Sequence, residues 1–531
     1  MESQIEVLNS DDNAAKKEIL KDLIEKFSDQ FNFPALDEDN TRVSLWKALY
    51  HILKDKEQGD LHQFCLIIIR LLSREKKCLN ELVSTNILVL ILAMGGLGGD
   101  NNTVVYNDKL IEGLKACCNI LFNANISREV CLKHGVLEGI FKRVKHYPEN
   151  EIPIDVKILD MKILFILTAL QSDSRVKINK KFNGIVELMG VLGKAFEDFR
   201  NNEEFKLKQV ELIGELLKTL FNLTVKTEIE SDLSRDLVIL LRDHLLWEFE
   251  NKDDNNNELN NHIINLLINV PETELGHLML ECVTEPPTNE TLQYMGYDMT
   301  AIYTMLECLK AKFTKNCTVS KQLELLSPVI TVLRNCARSC RRMRKYLKTQ
   351  VLPPLKDVRS RPEEEESYRG YFCRLLTSPI TEVRDLSADF LFILCKENVN
   401  RMIKYTGYGN AAGMFASRGL MLGGNTENSN NYSSDSSDSD TDEYNQLKSQ
   451  INPVMGCYQP DTPKATDNMT DEQKEYEAMK LVNLMDNLTK TGIVQPCTVG
   501  PDGKPKPIEH VLQLQQGLKA QQIKSEDNDS D

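Results

Sequence analysis

The chain has 531 residues, a formal net charge of −15 and a hydrophobic content of 41%, of which aromatic residues are a small part. This size and apolar content permit several domains or one extended repeat array, and the acidic balance argues against nucleic acid and anionic membranes as main partners. The N-terminus lacks a signal peptide's apolar segment, and the longest apolar run, Ile87 to Met94, is too short to span a bilayer, which indicates a reduced cytoplasmic protein.

Helical periodicity begins near Ala14 and develops into a recurring unit, an apolar helix with one marker residue at a similar place. The markers are Arg70, Asn119, Thr168, Asn222, Asn269, Asn335 and Cys395. The first four separations, 49, 49, 54 and 47 residues, fit the armadillo/HEAT period of about 40–47 residues with modest insertions, and the last two, 66 and 60, imply long loops or an extra helix. The pattern predicts an all-α armadillo/HEAT-like superhelix over residues 1–424, because each unit can bury its apolar stripe only against its neighbours.

The asparagines of these helices have more than one interpretation. Each side chain can tie the backbone of a neighbouring repeat, project into the concave groove, or only satisfy local backbone groups. The sequence leaves these alternatives open at Asn119, Asn222 and Asn269.

The most basic stretch runs from Pro328 to Glu363, and its first part is predicted to be one helix that ends before Pro353. Its cationic side chains form a candidate basic patch: Arg334, Arg338, Arg341, Arg342, Lys345 and Lys348. A solvated helix face explains many such runs, but arginine also suits bidentate capture of carboxylate or phosphate. Lys404 to Gly413 is predicted to be a tight Gly/Asn loop.

The composition changes after residue 424. Residues 425–468 are predicted to be an acidic disordered linker, since they hold too little apolar surface to offset the entropy of ordering. Ser437 and Ser439 each have an aspartate three residues later, which a kinase of the casein kinase 2 type prefers, and Ser434 gains such a site once Ser437 is phosphorylated. The alternative is an unmodified, solvating linker.

One ordered helix is predicted in the tail, over residues 469–492. Thr470 and Gln473 form a capping-box pattern, and Gly492 fits the stop. Its apolar face includes Tyr476, Met479, Val482, Met485 and Leu488. Such a face needs a partner, either a client protein or the chain's own solenoid. Residues 493–531 are predicted to be disordered.

No motif for covalent chemistry is found. The segment GGLGG lacks the lysine of a phosphate loop, and Cys336 and Cys340 have no second ligand pair at zinc spacing. We therefore expect no enzyme active site, no metal and no cofactor.

Several stretches resemble one family. Residues 351–363, 402–421, 439–454 and 469–488, together with 66–79 and 114–123, are similar to synembryn, the resistance-to-inhibitors-of-cholinesterase family. The resemblance implies a chaperone and non-receptor guanine nucleotide exchange factor for heterotrimeric G-protein alpha subunits. It acts on the GDP-bound subunit without beta-gamma and holds the nucleotide-free form until GTP binds.

The resemblance also implies where the sites lie. A concave surface takes the alpha subunit's C-terminal helix, and Arg70, Arg74 and Asn119 match it; Asn222 and Asn269 extend that set along the repeats. Ser434 and Ser439 match casein kinase 2 targets in the acidic tail. We expect a monomer in the cytoplasm, with possible recruitment to the cell cortex at the inner face of the plasma membrane. Two alternatives stay open, an armadillo-type adaptor and a folding chaperone without exchange activity.

Overall fold

The computed structural model describes residues 1–98, 104–149, 152–201, 206–251, 257–282, 292–313, 319–423, 440–460 and 469–508. The chain divides into two compact units, Met1–His277 and Leu278–Asp531.

Helices account for most of the first unit's described residues. They are α1 (Glu2–Leu8), α2 (Asn13–Phe27), α3 (Thr41–Lys54), α4 (His62–Leu72), α5 (Leu79–Leu82), α6 (Thr85–Met94), α7 (Asp108–Asn123), α8 (Asn125–Lys133), α9 (Val136–Val144), α10 (Ile154–Leu170), α11 (Ser172–Phe182), α12 (Gly184–Asn201), α13 (Lys206–Thr224), α14 (Ser231–Asn251) and α15 (Asn257–Leu267). Short 3₁₀ turns at Pro34–Leu36, Glu38–Asn40, Lys56–Leu61 and Tyr147–Glu149 connect some of them.

The second unit is also mainly helical. Its helices are α16 (Thr300–Phe313), α17 (Val319–Ser339), α18 (Arg341–Val351), α19 (Tyr368–Leu376), α20 (Thr381–Leu394), α21 (Val399–Thr406), α22 (Tyr408–Arg418), α23 (Asp442–Leu447) and α24 (Asp471–Lys490). Its strands are β1 (Leu280–Glu281), β2 (Gln293–Tyr294), β3 (Tyr297–Asp298), β4 (Ile451–Asn452), β5 (Cys457–Tyr458), β6 (Cys497–Val499) and β7 (Pro505–Pro507). They form antiparallel pairs in the order β1-β3-β2, β4-β5 and β6-β7.

The repeat prediction is confirmed by how the first unit packs. Five helices stack in succession, α4 on α7, α7 on α10, α10 on α13 and α13 on α15, and we call them the ladder helices. Four marker residues of the sequence pattern lie in α4, α7, α10 and α13, and Asn269 lies just beyond α15. Most leucine and isoleucine side chains on these helices are buried, because each helix covers the apolar stripe of the next.

A buried ion pair ties two neighbouring repeats of the first unit. The Arg143 guanidinium donates through two nitrogens to the two carboxylate oxygens of Asp160, and the Tyr147 hydroxyl donates to the same carboxylate at 2.9 Å. Arg143 also donates to the carbonyl oxygens of Gly95 and Gly96, at 3.0 and 3.2 Å. These bonds satisfy charges that would otherwise be costly to bury, and they fix the turn after α6.

The prediction of one basic helix starting near Pro328 is wrong. Helix α17 begins earlier, at Val319, and contains Pro328, and a second helix, α18, follows a break at Cys340. Cys340 has an extended backbone, φ −125° and ψ 122°, which ends the first helix. The Arg344 guanidinium donates to the Ala337 carbonyl at 2.9 Å and so satisfies a carbonyl that the break leaves without a helical partner.

The prediction of a continuous disordered linker over 425–468 is wrong for residues 440–460. This segment forms α23 and the hairpin of β4 and β5, and Tyr444 and Cys457 are buried. The hairpin turn contacts the junction of α21 and α22, where the Tyr408 amide donates to the Pro453 carbonyl at 2.8 Å. The expected loop at Lys404–Gly413 is instead these two helices, broken at Gly407, where the backbone φ of +74° ends α21.

The predicted helix at 469–492 is confirmed, whereas disorder over all of 493–531 is not. Helix α24 has the expected capping box of Thr470 and Gln473, and Gly492 follows it with a positive φ. Residues 497–507 form the β6–β7 hairpin, which the sequence analysis did not predict. Short strands without an apolar run give no periodic signal.

Candidate functional site

Asn119 and Asn222 of the ladder helices, and Asn269 just after α15, bind the preceding repeat. The side-chain amide of Asn119 donates to the Arg70 carbonyl at 2.9 Å, and Asn269 donates to the Phe221 carbonyl at 3.0 Å. Asn222 donates to the Thr168 hydroxyl at 3.1 Å. Of the alternatives that the sequence left open, the structure shows the tie between neighbouring repeats.

Two arginines in and just after α4 are already engaged. Arg70 Nε donates to Glu112 of α7 at 2.7 Å, and Lys115 binds the other oxygen of that carboxylate at 2.8 Å. Arg74 donates to the Ser28 carbonyl at 2.7 Å and lies 5.1 Å from the Phe31 ring centroid. Arg74 therefore holds the turn after α2, and its replacement changes local structure as well as any binding surface.

The sequence analysis missed a set of aromatic residues on the ladder helices. Phe122 is 61% exposed, and Phe64, Phe165 and Phe221 are partly exposed on α4, α10 and α13. Lys218 of α13 lies 5.0 Å from the Phe165 ring centroid, and Lys162 pairs with Glu211 at 2.5 Å, so α10 and α13 form one mixed surface. We call this set the aromatic face. Phe122, Phe165 and Phe221 lie one to three residues from the marker residues of their helices, and Phe64 lies six residues before Arg70, so the repeat spacing could have located them.

The structure divides the candidate basic patch between two helices. Arg334 and Arg338 of α17 bind one carboxylate oxygen of Asp389, at 3.4 and 3.1 Å, and Arg418 of α22 binds the other at 3.2 Å. This arrangement places three guanidinium groups around one carboxylate. That part of the patch therefore has an internal partner for one of its charges.

The remaining cations of the patch lie on α18, whose apolar side is buried. Arg341 and Arg342 are exposed, and Arg342 lies 4.5 Å from the Tyr297 ring centroid. Lys345 is partly exposed, and Lys348 lies 5.5 Å from the Tyr405 ring centroid. Met343 and Leu347 are buried, as the predicted apolar stripe requires.

The end of the acidic segment is attached near this helix. Ser434, Ser437 and Ser439 lie outside the described residues, but the next residue, Asp440, binds Lys404 and also Lys448, the latter at 2.9 Å. Lys404 lies 5.4 Å from the ring of Tyr405, which Lys348 also approaches. Hydrogen bonds from the two lysines lower the pKa of the Asp440 carboxyl below its usual value. A carboxylate is thus bound one residue after the last candidate phosphorylation site.

Helix α24 presents its apolar side chains to solvent. Tyr476, Met479, Val482 and Met485 are all exposed, Leu488 is partly exposed, and the helix has no buried residue. An apolar helix surface of this kind indicates a binding surface.

Titratable groups in the core do not form a reactive site. Burial raises the pKa of the Cys131 and Cys373 thiols to about 12. Burial, with a smaller effect of Arg200, lowers the pKa of His244 to about 3, and this ring stacks on Phe196 at 4.4 Å. Within the ranges that the structure describes, no group of three or more His, Cys, Asp or Glu is placed to hold a metal ion. Nor does any helix there have the length and apolar character needed to cross a bilayer.

Comparison with known proteins supplies the family. Residues 65–504 match the family described as guanine nucleotide exchange factor synembryn. Chaperone Ric-8A of Gallus gallus is 37% identical over 496 residues, which cover 90% of each chain. Chaperone Ric-8 of Drosophila pseudoobscura pseudoobscura is 36% identical over 95% of this chain and 96% of that protein.

Solved structures give a looser match. The crystal structure of an engineered protein overlaps 81% of this chain and 96% of its own at 14% identity, with a TM-score of 0.46, which is too low to support an argument. The family assignment therefore rests on the sequence matches, which run over nearly the whole length of the chain. This chain belongs to the synembryn family of guanine nucleotide exchange factors.

Proposed function

We propose that this protein is a chaperone and exchange factor for heterotrimeric G-protein alpha subunits, and that it acts on the GDP-bound subunit free of beta-gamma. The exposed apolar surface of α24 is the observation that carries this proposal, since such a surface requires a protein partner. The names of the relatives, chaperones, and the family description, an exchange factor, support the same activity.

Exchange of this kind needs no covalent chemistry. A protein that binds the empty alpha subunit more tightly than the GDP form weakens GDP binding by the same factor, because the two equilibria are linked. Each tenfold of weakening needs about 1.4 kcal/mol of differential binding. The nucleotide-free subunit then stays bound until GTP replaces the protein.

The aromatic face is the proposed first contact. Helix-in-groove recognition places apolar anchors of a client helix against an apolar, partly charged surface. Phe122, Phe165 and Phe221 supply such a surface, and Lys115, Lys162 and Lys218 lie among them. Arg70, Asn119, Asn222 and Asn269 contribute by holding successive repeats together, and Arg74 by holding the turn after α2. The client's C-terminal helix is the proposed occupant.

Helix α24 is the proposed second contact. Only residues 461–470 lie between this helix and the folded segment that ends at Pro460, so the connection is much shorter than the linker over 425–468 that the sequence predicts. Once a client is bound to the aromatic face, its contact with α24 forms within the same complex, and this raises the overall affinity. The proposed target of α24 is the client's nucleotide-binding side.

Phosphorylation by a kinase of the casein kinase 2 type is proposed to strengthen the second unit. Phosphates on Ser434 and Ser439 would add negative charge directly before Asp440, whose partners Lys404 and Lys448 are cationic. Helix α18, with Arg341, Arg342, Lys345 and Lys348, offers further donors. Monomeric state, cytoplasmic location and recruitment to the cell cortex remain part of this proposal.

Release of GDP from a purified alpha subunit tests the function. Catalytic acceleration by substoichiometric protein is the expected result. Unchanged release with improved yield of folded alpha subunit would instead support a folding chaperone without exchange activity. Unchanged release together with unchanged yield would support an armadillo-type adaptor.

A further inference from the structure

The β6–β7 hairpin contacts the rest of the second unit through its turn. Gly500 and Gly503 at the turn are buried, whereas strands β6 and β7 are exposed along their length. The Met421 amide, three residues after α22 ends, donates to the Gly503 carbonyl at 3.2 Å. The turn therefore docks backbone to backbone on the segment that follows α22.

Two glycines make this close approach possible. Gly503 has φ +70°, and a Cβ atom there would overlap the Gly419 carbonyl oxygen. Gly419 has φ +71°, and a Cβ atom there would lie 2.6 Å from the Asp502 carbonyl oxygen. Each glycine thus leaves room for the other's backbone, and both positive φ angles disfavour any larger residue.

This docking puts an attachment point on each side of α24. On the N-terminal side, the Tyr458 amide donates to the Val358 carbonyl at 2.6 Å, which fixes the β4–β5 hairpin. On the C-terminal side, residues 491–496 join α24 to the β6–β7 hairpin, and six extended residues span at most about 20 Å. Two amides, of Ile493 and Val494, donate to the Leu488 carbonyl and shorten this connection further.

We propose that Gly419 and Gly503 are positioning residues, because their contact keeps α24 in a closed loop on the second unit instead of on a free arm. The proposal rests on the proposed function, in which α24 binds the alpha subunit. A loop held at both ends samples a smaller volume than a chain held at one end. The local concentration of α24 near a client already bound to the protein is higher for that reason.

Hydrogen exchange without any client tests the docking. In the full-length chain, Gly503→Val should increase exchange at the Met421 amide and over residues 497–508, and it should leave the melting temperature unchanged. Gly423→Val is the matched control, because Gly423 also has a positive φ, +81°, but a Cβ atom there would meet no other atom within 4 Å. Unchanged exchange at Met421 in Gly503→Val would overturn the proposal.

Affinity for the GDP-bound alpha subunit tests the positioning role. We expect Gly503→Val to weaken binding about five- to tenfold and the Gly423→Val control to match wild type. Released docking with unchanged or tighter binding would overturn the positioning role. The variant Met485→Asp/Leu488→Asp separates the two proposals, since normal affinity in that variant means that α24 does not bind the client and the proposed function fails.

Discussion

At the residue scale, asparagine and arginine side chains in or next to the ladder helices hold neighbouring repeats together. Asn119 and Asn269 each satisfy a carbonyl group of the preceding repeat, and Arg70 pairs with a carboxylate on the next one. The same helices also expose aromatic side chains, of which Phe122 is the most accessible. The structural role and the proposed binding role thus fall on different residues a few positions apart.

Phe122 offers a direct test of the aromatic face. Phe122→Asp should weaken alpha-subunit binding about tenfold, or about 1.4 kcal/mol, because a charge replaces an apolar anchor. Binding is measured by titration with the GDP-bound subunit. Val176→Asp on α11 is the control, since Val176 is also exposed but lies on no ladder helix. Equal affinity in the two variants would exclude the aromatic face as the binding site.

The buried pair of Arg143 and Asp160 is expected to govern the stability of the first unit. Asp160→Ala should cost about 3–5 kcal/mol, because it leaves the buried guanidinium without its counter-charge. Chemical denaturation measures the loss. The double variant Arg143→Met/Asp160→Leu should be less destabilised than the single one, and the opposite order would show that the charge pair itself is not responsible.

At the element scale, two segments outside the ladder helices decide how the tail is held. Residues 440–460 pack on the second unit, and Thr441 Oγ1 donates to the Leu355 carbonyl at 2.5 Å while it also caps α23. Helix α24 follows without any buried side chain. A rigid attachment next to an exposed apolar helix suits a segment that acts on a partner.

The attachment at Asp440 should depend on pH in one direction. The two lysines, Lys404 and Lys448, lower the pKa of the Asp440 carboxyl. The stabilisation by these ion pairs is therefore complete above the ordinary aspartate pKa, near 4, and is lost as pH falls through the lowered pKa. Asp440→Asn should lower the melting temperature by about 1–2 °C from pH 8 to 5, and the difference should shrink below pH 4 and vanish only below the lowered pKa. Asp442→Asn is the control, because this exposed residue makes no ion pair with the described residues. A difference that grows on acidification would contradict this assignment.

Two substitutions on α24 test its surface. Met485→Asp/Leu488→Asp should weaken alpha-subunit binding about a hundredfold, in the range that a second tethered contact contributes, and should slow exchange. The fold should be unaffected, because neither side chain is buried. Asn483→Asp/Asn487→Asp adds the same charge on the side of the helix opposite Met485 and should behave as wild type. If both double variants lose affinity equally, net charge and not the apolar surface is the cause.

At the scale of the whole molecule, negative charge is concentrated in the part of the chain that follows the solenoid, whereas α18 and α21 provide cations. The ion pair of Asp440 with Lys404 attaches the acidic segment to α21 within the second unit. We therefore expect phosphorylation of the preceding serines to change the stability of the unit as well as the behaviour of its tail.

Kinase treatment tests this link. Phosphorylated wild-type protein should melt at a higher temperature and exchange faster than the untreated protein, because arginine–phosphate contacts are worth about 1.5–3 kcal/mol before solvent and salt reduce them. Ser434→Ala/Ser439→Ala protein should show neither change after the same treatment. Identical melting and exchange of the treated variant and the treated wild type would refute the role of these serines.

The sequence by itself determined the repeats, the all-helical class, the family resemblance and the capped helix α24. Each depends on local information, that is, apolar periodicity, helix caps or long sequence matches. Tertiary structure decided that the asparagines tie repeats, that Asp389 takes up part of the basic patch and that residues 440–460 and 497–507 fold onto the second unit. These features depend on partners far apart in the chain, such as Gly419 with Gly503, and no local pattern encodes such a pairing.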